Sequence, residues 1–292
     1  MRRACIDIGS NTTRLLVADC EPGALRAVHQ SRVFTSIGRD LARDGVIPSG
    51  KIAAIVSAVC AQREEARALG VEELRAIGTA AIRRAKNRAE LLDALRSRCG
   101  LEVAVLSGEQ EARFAFLGAT SLLEHPPRTM VGVVDVGGGS SEIVVGVAPD
   151  RVRWCASLAL GSGELAHRLL HSDPPAASEL HAAREHAVSS LAGLEPPRPQ
   201  VAVAVGGSAT SLALLAGPRL DAASFERALA LLSEAPASEI ARRFGLEQER
   251  VRLLPAGLLI LQAAADVLGC SLQIGRGGLR EGVLLAAQPL VP

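Results

Sequence analysis

Short β-branched runs alternate along this chain with longer stretches of helical period. Apolar runs bounded by Gly, Pro or Asn predict strands, and apolar positions recurring every third or fourth residue predict helices. Strands are expected over 3–8, 14–20, 25–35, 74–77 and 101–106. Helices are expected over 49–69 with Ser49 as the cap, over 89–98, and from Ser107, a second cap, to about Leu122. The pattern restarts after His125-Pro126-Pro127. Strands follow over 131–136, 143–147, 151–158, 201–205 and 271–274, with helices over 161–170, 178–194, 210–215, 224–232, 238–244 and 255–268 and a last element over 277–285. Strands come early and helices late in each half, which argues for an α/β protein of two domains, 1–124 and 125–292.

The most informative stretch is 131–147, VGVVDVGGGSSEIVVGV. Two β-branched runs flank a turn almost free of side chains, with Asp135 on the way in and Glu142 on the way out. Glycines there let an anion approach backbone N–H groups, and acids beside such a nest call for a cation, Mg²⁺ being the natural one. Alone, the stretch reads first as a tight hairpin with two solvated acids. It has a counterpart near the N-terminus, where Asp7-x-Gly9-Ser10 echoes Asp135-x-Gly137, and a third Gly turn at Gly206, Gly207 and Ser208 follows another β run. Repeated phosphate-type turns half a chain apart suggest a duplicated architecture with a ligand between the halves.

Composition narrows the classes. Apolar residues are 48% and charged residues 22% of 292, which is ordinary globular material, and a net charge of +1 gives no electrostatic case for nucleic acid. The six cysteines show no CxxC spacing, so zinc and a disulfide framework are not expected, and reduced core thiols in a cytoplasmic protein are. The apolar stretch 253–270 carries Pro255, Gln262 and Asp266, so it reads as a buried helix and no membrane partner is expected. His167 and His171 are four apart but belong to no HExxH pattern and read as surface residues. Ser140 lacks a Gly-x-Ser-x-Gly elbow, and no Gly-Lys-Ser/Thr phosphate loop occurs.

Seven motifs in order, IDIGSNTTRLL, GTAAIRRAKN, SGEQEAR, VVDVGGGSSE, AVGGSATSLA, LLPAGLLIL and GLREGVLL, resemble the exopolyphosphatase/guanosine pentaphosphate phosphatase (Ppx/GppA) family, in its short form without an appended C-terminal helical domain. The resemblance spans residues 4–285 and implies two actin-like (ribonuclease-H-like) domains around a cleft, with the end of the chain packing back on the first. It implies Glu111 as the catalytic base, Glu142 as the second essential acid, and Asp135 with Glu142, and Asp7 as a further candidate, as the Mg²⁺ site. It implies phosphate binding by Ser10, Asn11, Arg83, Gly138, Gly139, Ser140 and Ser141, with Gly206, Gly207 and Ser208 as the third turn. By local sequence alone Glu111 is no more than a first-turn acid, and Arg84 a solvated residue.

The implied activity is release of terminal phosphate from inorganic polyphosphate. The alternatives are pppGpp 5′-phosphohydrolase action giving ppGpp and, in a different class, an inactive phosphate or alarmone sensor. A third class, an ATP-binding kinase or chaperone-like relative, leaves Glu111 and Glu142 unexplained. With five Phe, Trp154 and no Tyr, base stacking has few candidates, which leans toward polyphosphate. The family commonly forms homodimers. Three positions depart from its pattern: Arg39-Asp40, Gly163-Glu164, and Gly275-Arg276. The last two exchanges reverse charge in opposite senses, so Glu164 and Arg276 are expected to pair near the cleft.

Overall fold

Two sheets of one design make up the molecule. The computed structural model of the protein describes residues 1–21, 24–123 and 130–286. In the N-terminal part, β1 (Arg2–Ile8), β2 (Thr12–Glu21) and β3 (Ala24–Phe34) form an antiparallel meander. The helices α1 (Ile37–Asp44) and α2 (Ser49–Ala68) lead to β4 (Glu73–Gly78), α3 (Ala80–Arg84) and α4 (Arg88–Cys99) to β5 (Val103–Val105), and α5 (Gly108–Ser121) follows. The sheet order is β3-β2-β1-β4-β5, with β4 and β5 parallel to β1. The second part repeats this with β6 (Met130–Val136), β7 (Ser141–Val147) and β8 (Arg151–Leu158), then α6 (Ser162–Leu169), α7 (Ala177–Leu191), β9 (Val201–Val205) and α8 (Gly206–Ala216). The chain continues through β10 (Arg219–Leu220), α9 (Ala222–Glu234), α10 (Ala237–Phe244), α11 (Gln248–Leu268), β11 (Leu272–Ile274) and α12 (Leu279–Leu285). Its order, β10-β11-β9-β6-β7-β8, is that of the first sheet plus a short edge strand.

The two parts interlock at their ends. Helix α5 leaves the first sheet and packs on β6, β7 and β8, burying Ala112, Phe116 and Ala119 with Val131, Val133 and Val144. Helix α12 returns to the first sheet, where Val283 and Leu284 join Cys5, Leu16 and Ile77 in one apolar cluster. Arg3 Nη1 donates to Leu284 O at 3.0 Å and Arg75 Nη1 to Val283 O at 2.6 Å. Where α5 and α12 cross, a Cβ on Gly118 or Gly282 would run into the other helix's backbone, so small residues set this close approach. The crossing holds the start of α5, with Glu111, between the sheets. The expected break between residues 124 and 125 lies outside the described residues.

Some element readings change. Helix α2 begins at Ser49 itself, capped by the backbone of Pro48 with no side-chain bond. Helix α1 was not legible, because its eight residues contain Gly38 and few apolar positions. Helix α11 starts seven residues before Pro255, which sits inside it; Pro there removes one ladder bond but not the helix, whose length is buried in the second core. It is the helix among the described residues long and apolar enough to cross a membrane, and it is mostly buried. The cysteine reading is corrected too. Cys60 of α2 and Cys99 of α4 form a disulfide with Cα atoms 5.2 Å apart, while Cys5, Cys20, Cys155 and Cys270 are free. The partners are 39 residues apart on two packed helices, a proximity that no short spacing motif records.

Candidate active site

Two hairpins of like construction meet in the cleft. In the first, Asp7 of β1 stands in register with Arg14 of β2; in the second, Asp135 of β6 stands in register with Glu142 of β7. Each turn closes through its own backbone: Gly9 N–H donates to Thr12 O at 3.0 Å and Gly137 N–H to Ser140 O at 2.9 Å. The turns touch. A Cβ on Gly138 would stand 2.6 Å from Asn11 Nδ2, and one on Gly139 would collide with the Ser10 hydroxyl. Glycine suits these positions because the backbone of the second turn lies against the Ser10 and Asn11 side chains of the first. Beside them lies a cavity of about 510 Å³. Ser10, Asn11, Gly138, Gly139 and Ser140 line one wall and Gly206 and Gly207 another.

The third turn is more than a loop. Helix α8 starts at Gly206, earlier than the sequence pattern indicates, so the glycines form its first turn and their N–H groups are free of intrahelical partners. Gly206 has φ +85°, and a Cβ there would strike Asp135 Oδ1. Asp135 therefore sits against the positive end of α8.

Four of the expected acids share the cavity: Asp7, Glu111, Asp135 and Glu142. The Ser107 capping box, Gln110 N–H to Ser107 Oγ at 3.2 Å and Ser107 N–H to Gln110 Oε1 at 2.8 Å, fixes the start of α5 and places Glu111 in its first turn. Glu111 and Glu142 are each 4% exposed. Burial pushes the Glu111 carboxyl up, Arg83 opposes this by hydrogen bond and charge, and Asp7 and Asp135 add to the rise. Glu142 is pushed well up by burial and then by Glu111 and Asp135, against hydrogen bonds from Ser157, at 2.9 Å, and Ser140. Burial raises Asp135 to about 6 despite Arg14, and raises Asp7 despite Arg14 and Arg280.

Guanidinium groups occupy the rest of the cavity: Arg14, Arg32, Arg250, Arg276 and Arg280 all line it. Arg14 donates from Nε to Thr12 Oγ1 at 3.0 Å. Arg250 is 5% exposed, and its Nε is buried with no hydrogen-bond partner among the described residues. Burial lowers Arg250 to about 10, and the charges of Arg14 and Arg32 add to the effect. Arg14 is likewise lowered by burial and by Arg280, with Asp7 opposing. Both crowd the start of α8, where a Cβ on Gly207 would stand 2.7 Å from Arg14 Nη2 and 3.0 Å from Arg250 Nη1. Buried like charges with an unused donor are arranged for a multivalent anion. The chain order carried a signal for Arg14: it follows Asp7 by the same interval that separates Glu142 from Asp135. For Arg250 and Arg280 there was none, because α11 and α12 bring them from the far end of the chain.

Two expected phosphate ligands, Arg83 and Ser141, and one residue of the third turn, Ser208, stand elsewhere. Arg83 does not line the cavity; its Nη1 donates to Glu111 Oε1 and, at 2.6 Å, to Leu106 O. Ser141 is buried and gives its hydroxyl to Leu160 O at 2.5 Å, because strand alternation turns it away from the face Ser140 lines. Ser208 is buried beside Gly257 and also lies off the cavity wall. Glu164 pairs with Arg84, Oε2 to Nη1 at 2.6 Å, in place of the expected pairing with Arg276. Arg84 is thus an ion-paired residue and not merely a solvated one.

The donors are of the kind that suits a hard cation. Asp7 Oδ1 is buried with no hydrogen-bond partner, and Asp135 and Glu142 are crowded acids whose repulsion a cation would relieve. Among the described residues no three His, Cys, Asp or Glu side chains cluster as a cage. Mg²⁺ fits this set, since it takes one or two carboxylates and completes its shell with water and substrate phosphate.

Two α/β units of like design meet around a cavity lined by acids, glycine turns and five guanidinium groups, a lining suited to a multivalent anion. The profile of the Ppx/GppA phosphatase family matches residues 16–290. Exopolyphosphatase 1 of Mycobacterium tuberculosis is 31% identical over 307 residues, covering 98% of this chain and 88% of that protein. The crystal structure of the Aquifex aeolicus Ppx/GppA family member is 31% identical and superposes with a TM-score of 0.81, covering 98% of this chain and 96% of the other. An exopolyphosphatase from Cytophaga hutchinsonii shares the fold at a TM-score of 0.88 and 21% identity, over 97% and 96% of the two chains. The chain belongs to the Ppx/GppA phosphatase family and is a phosphohydrolase.

Proposed function

We propose that the protein is a Mg²⁺-dependent exopolyphosphatase. The observation that carries this reading is one cavity lined both by the buried acids Glu111 and Glu142 and by guanidinium groups, Arg14 and the buried Arg250 among them. A linear polyanion laid along the arginines presents its terminal phosphoryl group to the acids, and a polyphosphate needs no base-stacking ring. The name of the M. tuberculosis relative supports the same substrate class.

The residues divide the work. Ser10, Asn11, Gly138, Gly139 and Ser140 hold the terminal phosphoryl oxygens, and the first turn of α8 adds backbone donors. Asp135 and Glu142, with Asp7 as a further ligand, would hold Mg²⁺, which supplies charge neutralisation on the phosphoryl oxygens. Glu111, raised by burial, orients a water and takes its proton; the water oxygen bonds to phosphorus as the bridging P–O bond breaks, and the shortened chain leaves as an anion. Arg83 fixes Glu111 in place and keeps it from holding its proton too tightly.

The test is phosphate release from polyphosphate and from pppGpp with Mg²⁺, beside Glu111→Gln. Release from polyphosphate that the substitution abolishes supports the proposal. Release from pppGpp alone would replace it with the alarmone activity, and release from neither by a folded protein would favour a phosphate-binding sensor.

A further inference from the structure

The Arg84–Glu164 ion pair joins the two halves of the molecule beside the phosphate turns. Arg84 ends α3, next to Arg83, while Glu164 lies in the first turn of α6. The pair is two-pronged, with Nη1 to Oε2 at 2.6 Å and Nη2 to Oε1 at 3.4 Å. Behind Glu164, the start of α6 grips the central turn through its backbone: Ser162 N–H donates to Gly137 O at 2.9 Å, Gly163 N–H to Gly138 O at 3.0 Å and Glu164 N–H to Gly138 O at 3.1 Å. Behind Arg84, α3 is five residues long and carries Arg83, whose backbone N–H bonds Thr79 O at 2.9 Å and whose side chain holds Glu111. A continuous set of contacts therefore runs from the phosphate turn, through α6 and the ion pair, to the arginine that aims Glu111. A small void lined by Ser10, Gly38, Leu41, Ala81, Gly138 and Gly139 lies under the pair, while α1 packs against both α3 and α6.

We propose that Glu164 is a positioning residue: paired with Arg84, it latches the two halves together and sets Glu111 against the bound phosphoryl group. This rests on the reading of the site given above. The side chains are 45% and 32% exposed, so the latch is screened by salt and weak enough to open in each catalytic cycle.

Glu164→Gln, Arg84→Gln and the exchanged pair Arg84→Glu with Glu164→Arg test it on the full chain. Each single substitution should lower kcat about three- to fivefold and leave KM within about twofold, the range set by a partly exposed ion pair. The exchanged pair should return kcat to within about twofold of the parent. At about 0.5 M KCl the parent should fall to the level of the single variants. Unchanged kcat in the single variants, or an exchanged pair that is folded and no better than they are, overturns the proposal. Small-angle scattering in low salt reads the latch without turnover: the single variants should show a larger radius of gyration than the parent, and the exchanged pair should not. Identical radii in all four proteins overturn the latch, whereas a parent that closes but releases no phosphate overturns the substrate reading alone.

Discussion

The two hairpins that meet in the cleft share a backbone and differ in one charge. Asp7 faces Arg14 in the first; Asp135 faces Glu142 in the second. With a cation in the pair the first hairpin brings Arg14 beside Arg250 and Arg280, which line the same cavity. With two acids the second gathers repulsion that only a proton or a metal relieves. On the proposed function, the duplicated scaffold assigns substrate holding to Arg14 and metal holding to Glu142 by the choice of residue at one register position per half.

The sharpest way to break that division is at the chemical end. Glu111→Gln should cut kcat about 10²- to 10⁴-fold, the contribution of a positioned base, while KM for polyphosphate moves little in steady-state kinetics. At the holding end, Arg14→Gln should raise KM for polyphosphate about tenfold, change kcat less, and flatten the dependence of KM on salt.

A smaller effect lies in stability. The carboxyl of Asp135 titrates near 6 when folded, above its ordinary value, so its favourable contribution is complete below about pH 4 and is lost as pH rises through 6. In metal-free protein Asp135→Asn should therefore raise Tm by a few degrees at pH 7 and leave it nearly unchanged at pH 4, as read by thermal unfolding. At the other end, saturating tripolyphosphate should raise Tm at pH 7 by a few degrees in the parent and by less in Arg250→Gln, because the anion binds the folded state.

What the sequence revealed follows the same line. Asp135, Glu142 and Asp7 were legible because each sits within a few residues of a glycine turn, and local spacing is enough to place them on a hairpin. Glu111 was legible only through its place in the ordered motif set, while its burial was not, since that depends on α5 crossing α12. Arg250 and Arg280 were hidden, because they come from α11 and α12 and meet Arg14 of β2 only in the folded chain. Ser141 was misread for a simpler reason: adjacent residues of a strand face opposite ways, and of Ser140 and Ser141 only the former reaches the cavity. The charge reversal at Glu164 was seen, but its partner, Arg84, lies 80 residues away in the other half.

Binding without turnover tests the division of labour most directly. Titration calorimetry of tripolyphosphate with Mg²⁺ should give Glu111→Gln an affinity at least equal to the parent's and Arg14→Gln one about tenfold weaker. Loss of binding in Glu111→Gln with parental affinity in Arg14→Gln would contradict the account, because the acid end would then be holding the anion.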